Sequence, residues 1–202
     1  MFIPRHPVVE NQFCQFAAQT SDDTGIGAVL AYAGSVCYMD ENATNQDAIV
    51  KIYAAAAPGG DMNVPFGFLM QKVKTGYHQV HPAGFMMPGD LGSSDAIAQP
   101  SYTAAGVING TKETPVGVAH LGVWDTVHYT VATPGTTVIK PGEQLGVASG
   151  AGSAGGKVTQ YANRLTSIDT VVARVIKGAS AAQASANIAN TTLFPIRIKL
   201  TL

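Results

Sequence analysis

Short apolar runs separated by turn residues recur along most of the chain, and this spacing is typical of a β-rich protein. The clearest run is the C-terminal segment 194–202, in which apolar residues alternate with Arg197, Lys199 and Thr201. Strict alternation of this kind predicts a strand with one buried and one solvent-facing side. Further strands are predicted at 34–39, 48–53, 64–74, 115–121 and 123–131, the last also with one buried and one solvent-facing side.

Helix content is predicted to be low. Only the alanine-rich segment 178–190 favours a short helix, and because it has no apolar stripe, a loop is an equal alternative. Pro65 and Gly67 indicate an edge position or a bulge in the strand that contains them. We therefore expect a mostly β fold, an antiparallel β-barrel or β-sandwich with an extended N-terminal arm, long loops and little helix. The body, 23–202, is either one β-domain or two β-subdomains that meet near residue 133.

The N-terminal arm comprises residues 1–22. Pro4 and Pro7 fix the backbone φ angle and remove hydrogen-bond donors, which favours an extended chain. The arm carries enough apolar side chains to dock either on the chain's own core or on a neighbouring protein. A loose terminus with scattered aromatic residues is the alternative. The residues predicted to contact a partner are Phe2, Ile3, Phe13 and Phe16.

A second candidate contact lies in the segment 77–100, which is rich in proline and glycine and has little regular periodicity. A loop of this length in a compact domain is usually functional or disordered. Phe85, Met86 and Met87 form an apolar patch at its centre, and methionine-rich surfaces adapt to varied partners. We predict a partner contact over 84–91, with packing over the protein's own sheet as the alternative.

The charge composition limits the classes of partner. The chain has 12 Lys+Arg and 13 Asp+Glu, and its net charge of -1 gives no positive field for nucleic acid or an anionic membrane. Charged residues make up 12% of the chain, against ~25% in typical soluble domains. A surface so poor in charge favours an assembly component over a free extracellular protein. With no apolar run long enough to span a membrane and no signal-peptide pattern, we expect synthesis in a cytoplasm and no membrane partner.

No motif predicts a catalytic, cofactor or metal site. His78 and His81 have metal-like spacing but lack a third ligand nearby. His120 and His128 lie in or beside predicted strands, where histidines are usually packing or surface residues. The glycine-rich segment 150–156 lacks the Lys-Ser/Thr of a phosphate-binding loop. We predict a protein that is not an enzyme and needs no cofactor; an enzyme of unrecognised type is the remaining alternative.

The two cysteines do not form the dense framework of a disulfide-stapled domain. Neither Cys14 nor Cys37 has a neighbouring histidine that would lower the pKa of its thiol. Whether they lie near each other is left open by the sequence.

Four segments follow one another in the last third of the chain: KPGEQLGVA at 140–148, GGKV at 155–158, VVARVIKGA at 171–179 and IRIKL at 196–200. In this order they resemble tailed-bacteriophage capsid decoration (cement) proteins and related small virion proteins. In that family a Pro-Gly turn opens a strand, Gly-Lys-Val opens its partner, and an Ala-Arg-Val strand leads through an alanine-rich stretch to an alternating terminal strand.

The resemblance implies a non-enzymatic virion structural protein that binds the outside of a phage capsid and clamps neighbouring capsomers. The implied partner is the major capsid protein, the implied state a homotrimer, and the implied location the capsid surface after synthesis in the host cytoplasm. The capsid and symmetry axis are left open. One alternative is a β-sandwich module of a fibre or adhesin that binds carbohydrate, with Trp124 and Asp125 as its candidate site. Another is a self-assembling shell or tail subunit.

Overall fold

A computed structural model describes residues 2–5, 10–17, 27–41, 48–53, 64–76, 95–102, 104–106, 108–111, 113–150 and 154–202. The fold is mostly β: of the described residues 44% lie in strands and 9% in helices, and the strands form a closed five-stranded barrel and antiparallel sheets, which confirms the predicted fold class. The strands are β1 Phe2–Pro4, β2 Glu10–Phe16, β3 Val29–Ala31, β4 Val36–Met39, β5 Ile49–Ile52, β6 Gly67–Leu69, β7 Val73–Thr75, β8 Ala96–Ala98, β9 Pro100–Tyr102, β10 Ile108–Thr111, β11 Thr114–Leu121, β12 Val123–Thr126, β13 Gln144–Val147, β14 Val158–Gln160, β15 Ala173–Lys177 and β16 Ile196–Leu200. The helix α1 spans Ala181–Ile188.

The barrel follows the strand order β11-β2-β5-β4-β6 and closes because β6 also pairs with β11. Its pairs are antiparallel except β2 with β5, which is parallel. Alternating side chains of these strands fill the interior, and a small sheet of β3, β7 and β8 packs against the same cluster. The buried residues of this cluster are Cys14, Phe16, Leu30, Ala31, Cys37, Val50, Ile52, Leu69, Val73, Ala96, Ala98, Val116 and Val118.

The second layer is an antiparallel six-stranded sheet in the order β1-β12-β16-β15-β13-β14. One face of this sheet packs against the outside of the barrel and against α1. The resulting cluster joins sheet residues such as Trp124 and Ile198 to barrel residues such as Tyr38 and Phe68, and includes Ala184 of the helix. The other face of the sheet points away from this core.

The chain passes from barrel to sheet at Gly122, which lies between β11 and β12 and has a φ of 116°. A positive φ favours glycine because it carries no Cβ. The crossing point therefore lies upstream of residue 133. Buried residues on both sides of it belong to one core cluster.

Several strand predictions are confirmed: 34–39, 48–53 and the alternating C-terminal strand with shorter bounds, and 115–121 with one more residue at its start. The predicted strand 64–74 is divided into β6 and β7. The prediction for 123–131 is wrong in extent, because β12 ends at Thr126. The faces are also reversed around β12: Thr126 and His128, predicted on the solvent-facing side, are buried, whereas Val123 on the predicted buried side is only half-buried.

The segment 178–190 contains a helix rather than a loop. Ser180 caps α1: its hydroxyl accepts from the backbone N–H of Gln183, and the Gln183 side chain accepts from the backbone N–H of Ser180. This capping box satisfies two otherwise unpaired donors at the helix start. Within the predicted loop 77–100, residues 77–94 lie outside the described part of the chain, and 96–98 form β8.

Candidate interaction surfaces

The N-terminal segment is extended and docks on the chain's own sheets. β1 pairs with β12, from Phe2 opposite Thr126 to Pro4 opposite Trp124. β2 pairs with β11 along its whole length, from Glu10 to Phe16. Since β11 and β12 are consecutive, the two N-terminal strands run antiparallel to one continuous stretch of chain. The segment is therefore an integral part of both layers.

Two of the four predicted partner-contact residues in the arm are core residues instead. Phe2 is fully buried and stacks on Trp124 and Phe68, with ring centroids 4.4 and 5.7 Å apart. Phe16 is 1% exposed inside the barrel. Strand pairing directs alternate side chains inward, so the prediction that these two phenylalanines contact a partner is wrong.

Phe13 is the arm residue that faces outward. Its side chain is 65% exposed, although β2 pairs with β11 along its whole length and with β5 at Gln15 and Phe16. Phe13 lies in register with Gly117, which is buried under Met70. The next outward pair is Gln15 with Pro115, and these two residues form with Phe13 an uncharged surface that we name the barrel-wall patch. Ile3 is half-buried and lies in register with Asp125.

The other predicted contacts, Phe85, Met86 and Met87, lie outside the described residues, as do His78 and His81. Their predicted roles stay predictions.

The outward side of the six-stranded sheet carries a concentration of cations that the sequence analysis missed. In β15 and β16, Val175, Ile198 and Leu200 face the core. The alternate residues of these two strands face outward: Arg174, Lys177, Arg197 and Lys199. Asp125 of β12 lies in register with Arg197 and so shares this side. We name this surface the basic face; its charged residues are Arg5, Asp125, Arg174, Lys177, Arg197 and Lys199.

Asp125 anchors one end of the basic face. Its carboxylate accepts from Arg5 Nε at 2.7 Å and from Arg197 Nε and Nη2 at 2.8 and 3.3 Å. Burial alone would raise the pKa of Asp125, but the hydrogen bonds from Arg197 and Arg5 outweigh it and leave the pKa below its ordinary value. The preceding Trp124 is fully buried, and its indole N–H donates to Leu121 O. Trp124 and Asp125 therefore do not present an exposed platform for a sugar.

A buried polar cluster joins the barrel to the loop before β14. His128 Nε2 lies 3.0 Å from both Ser35 Oγ and Gly155 O. Because a carbonyl oxygen only accepts, Nε2 carries the proton and donates; the Ser35 hydroxyl donates to the same carbonyl at 3.2 Å. A nucleophilic serine would instead donate to an unprotonated imidazole nitrogen. The pair is thus a packing contact, and burial lowers the pKa of His128 to about 4.

Both cysteines are buried, unbridged thiols in the barrel interior. Burial raises the pKa of Cys14 and of Cys37, and the proximity of Cys14 adds to the shift at Cys37. The question that the sequence left open is answered to this extent: both residues belong to one core cluster inside the barrel. A raised pKa keeps them protonated and poorly nucleophilic.

An open depression of about 310 Å³ lies beside the end of the six-stranded sheet, and its lining includes Glu143, Gln160 and Tyr161. Its polar groups are already engaged: Glu143 accepts from Gln160 and from the Lys140 backbone, and Tyr161 donates to Asp169. Within the described ranges, no three His, Cys, Asp or Glu side chains are grouped to hold a metal ion. None of the helical residues that are described belongs to a helix long and apolar enough to cross a membrane.

Comparisons of the chain with protein-family models, with curated proteins and with solved structures find no match.

Proposed function

We propose that this chain is a non-enzymatic virion structural protein that binds the outside of a phage capsid and clamps neighbouring capsomers. The observation that carries the proposal is the exposure of Phe13 on a strand that pairs with β11 along its whole length and with β5 at Gln15 and Phe16. An aromatic side chain on a rigid strand offers a large apolar contact with little conformational entropy to lose. Aromatic residues of this kind are enriched in the energetically dominant positions of protein interfaces.

The surroundings of Phe13 suit contact with another protein. The rest of the barrel-wall patch, Gln15 and Pro115, carries no charge. Low charge reduces the desolvation cost of covering a surface, and the chain as a whole has only 12% charged residues. The patch also belongs to a closed barrel, whose strand pairing fixes the relative positions of the patch residues.

The partner in this proposal is the major capsid protein, and the oligomeric state is a homotrimer located on the capsid surface. This part rests on the resemblance of the segments 140–148, 155–158, 171–179 and 196–200 to decoration proteins. A shell or tail subunit is the competing function. It would assemble by itself into particles or tubes, whereas a clamp would elute as a small discrete oligomer in size-exclusion chromatography.

The binding test uses phage heads that lack the chain, mixed with the purified full-length protein and sedimented. We expect wild type to sediment with the heads and Phe13→Ala to bind at least tenfold more weakly, as truncation of a dominant interface residue does. Leu193→Ala is the matched control, because Leu193 is 57% exposed but lies after α1, on another part of the molecule. Failure of wild type to bind, or equal binding by Phe13→Ala, contradicts the proposal.

A further inference from the structure

Like charges lie directly opposite each other on the basic face. Arg174 is in register with Lys199, and Lys177 is in register with Arg197. Side chains of directly opposed residues have Cβ atoms about 5 Å apart, and like charges at that distance destabilise a sheet. The fold therefore keeps two repulsive pairs side by side on one regular surface.

The sheet supplies little charge to offset these cations. Asp125 is the only Asp or Glu on its six strands, and its carboxylate is occupied by Arg5 and Arg197. Among the described residues, Arg174, Lys177 and Lys199 make no ion pair, and all three are exposed. Five of the chain's 12 basic residues thus lie on a single face of a protein whose net charge is -1.

The basic face also has an apolar component. Ile176 is the extra residue at a register shift between Val175 and Lys177, and it is 45% exposed. A β-bulge re-aims side chains locally and is a frequent feature of functional strand positions. An exposed apolar side chain flanked by cations matches the usual anatomy of a protein interface, with apolar contacts inside a polar rim.

Carboxylates fit this surface better than nucleic acid does. The outward residues of β12, β15 and β16 include no aromatic side chain on which a base would stack. The basic face already binds one carboxylate, because Arg197 donates to the Asp125 carboxylate through two nitrogens.

We infer that the basic face docks an acidic protein surface, whose Asp and Glu carboxylates pair with Arg174, Lys177 and Lys199 around Ile176. The inference is separate from the barrel-wall patch and does not require the partner to be a capsid. It explains why the repulsive register is retained: a partner's carboxylates turn two like-charged pairs into favourable contacts.

The test measures fluorescence anisotropy of a labelled poly-L-glutamate peptide with the full-length chain. At about 0.01 M ionic strength the Debye length is about 30 Å, and at about 0.1 M it is about 10 Å. We expect binding that weakens between these conditions. Lys199→Gln and Lys177→Gln should each weaken it about two- to fivefold, the usual range for one exposed ion pair, and the triple variant with Arg174→Gln should abolish measurable binding.

Lys72→Gln is the matched control, since it also removes one positive charge but lies next to the β7 strand of the three-stranded sheet, where Lys74 still pairs with Asp95. The inference is overturned if the peptide does not bind, if Lys72→Gln weakens binding as much as Lys199→Gln, or if a single-stranded or duplex DNA of equal charge binds the same residues more tightly than the peptide.

A second readout guards against a folding defect in the variants. Because Arg174 and Lys199 repel each other, Lys199→Gln should leave the thermal unfolding midpoint unchanged or raise it at low salt. Weaker peptide binding by a variant of equal or higher stability supports the inference. A lowered midpoint would contradict the inference, because it would show that Lys199 stabilises the fold and is not held in an unfavourable position opposite Arg174.

Discussion

The ring of Phe2 stacks on the indole of Trp124, with centroids 4.4 Å apart and planes inclined by only 6°. Both side chains are fully buried, and Phe68 of the barrel lies on the stack as well. The first strand of the chain is thus held at the junction of barrel and sheet. It is part of the core and not a free arm that reaches for a neighbour.

Phe2→Ala should therefore destabilise the protein by about 3–5 kcal/mol, the usual cost of deleting a buried phenylalanine ring. Phe13→Ala should change the free energy of unfolding by less than about 0.5 kcal/mol, because that ring is mostly exposed. Urea unfolding of the two variants measures both values. Equal losses of unfolding free energy in the two variants would contradict the burial of Phe2 and the exposure of Phe13.

Because Phe2 is a core residue and Phe13 is exposed, deletion of the N-terminal segment is a poor test of partner binding. Deleting residues 1–11 removes β1 and the start of β2, so a loss of binding after that deletion would report damage to the core. Phe13→Ala separates the two effects.

His128 should make stability pH-dependent in a defined window. Its pKa is about 4 in the folded protein because burial penalises the charged form, against an ordinary value of 6.5. The unfolded chain therefore binds a proton between pH 6.5 and 4 that the folded chain does not. Stability is complete above pH 6.5 and falls by about 3 kcal/mol in total as the pH drops to 4.

The measurement is the free energy of unfolding of wild type and His128→Gln across this window. Glutamine retains an N–H donor for Gly155 but does not titrate, so the decline between pH 6.5 and 4 should be smaller by about 3 kcal/mol in the variant. Parallel curves for the two proteins would show that His128 is not the titrating group.

Asp125→Asn should destabilise the protein by about 1–2 kcal/mol, because it leaves Arg5 and Arg197 without their shared carboxylate. The pKa of Asp125 is below its ordinary value, so its stabilising contribution is present above the unfolded value of 3.8 and is lost as the pH falls through the folded value. This window lies below that of His128.

Asp169→Asn is the control for that substitution. Asp169 also pairs with an arginine, Arg164, but its side chain is 77% exposed, so its replacement should have little effect. Thermal denaturation measures the unfolding midpoint of both variants. A larger decrease of the midpoint for Asp169→Asn than for Asp125→Asn would contradict the stabilising role given to Asp125.

Gly156 has a φ of 69°, and an added Cβ would lie 2.6 Å from Val36 O. Gly135 has a φ of 88° with no atom near an added Cβ. Gly135→Ala should therefore cost only the backbone term of about 1–2 kcal/mol, whereas Gly156→Ala should cost more because the barrel and the loop must also move apart. Chemical unfolding measures the difference, and equal costs would contradict the close approach at Val36.

The local sequence pattern predicted where strands and the helix lie better than it predicted which strands pair with each other. The alternation at 196–200 and the turn residues around it were enough for a strand, and alanine content was enough to suggest α1. Pro4 and Pro7 indicated an extended start, but its pairing with β12 depends on contacts between residues far apart in sequence. No local pattern encodes that register.

The same limit explains the missed basic face. The alternation at 194–202 predicts Arg197 and Lys199 as solvent-facing, but their opposition to Lys177 and Arg174 exists only because β15 and β16 are neighbours. A net charge of -1 conceals such local excess, since it averages over the whole chain.

Quantitative mass spectrometry of purified virions produced by the genome that encodes this chain, with antibody labelling to locate it on the particle, tests directly whether it is a capsid decoration protein. We expect the chain in a fixed ratio to the major capsid protein and on the outside of the head. Absence of the chain from the particles, or its presence only in the tail, would contradict the proposed function.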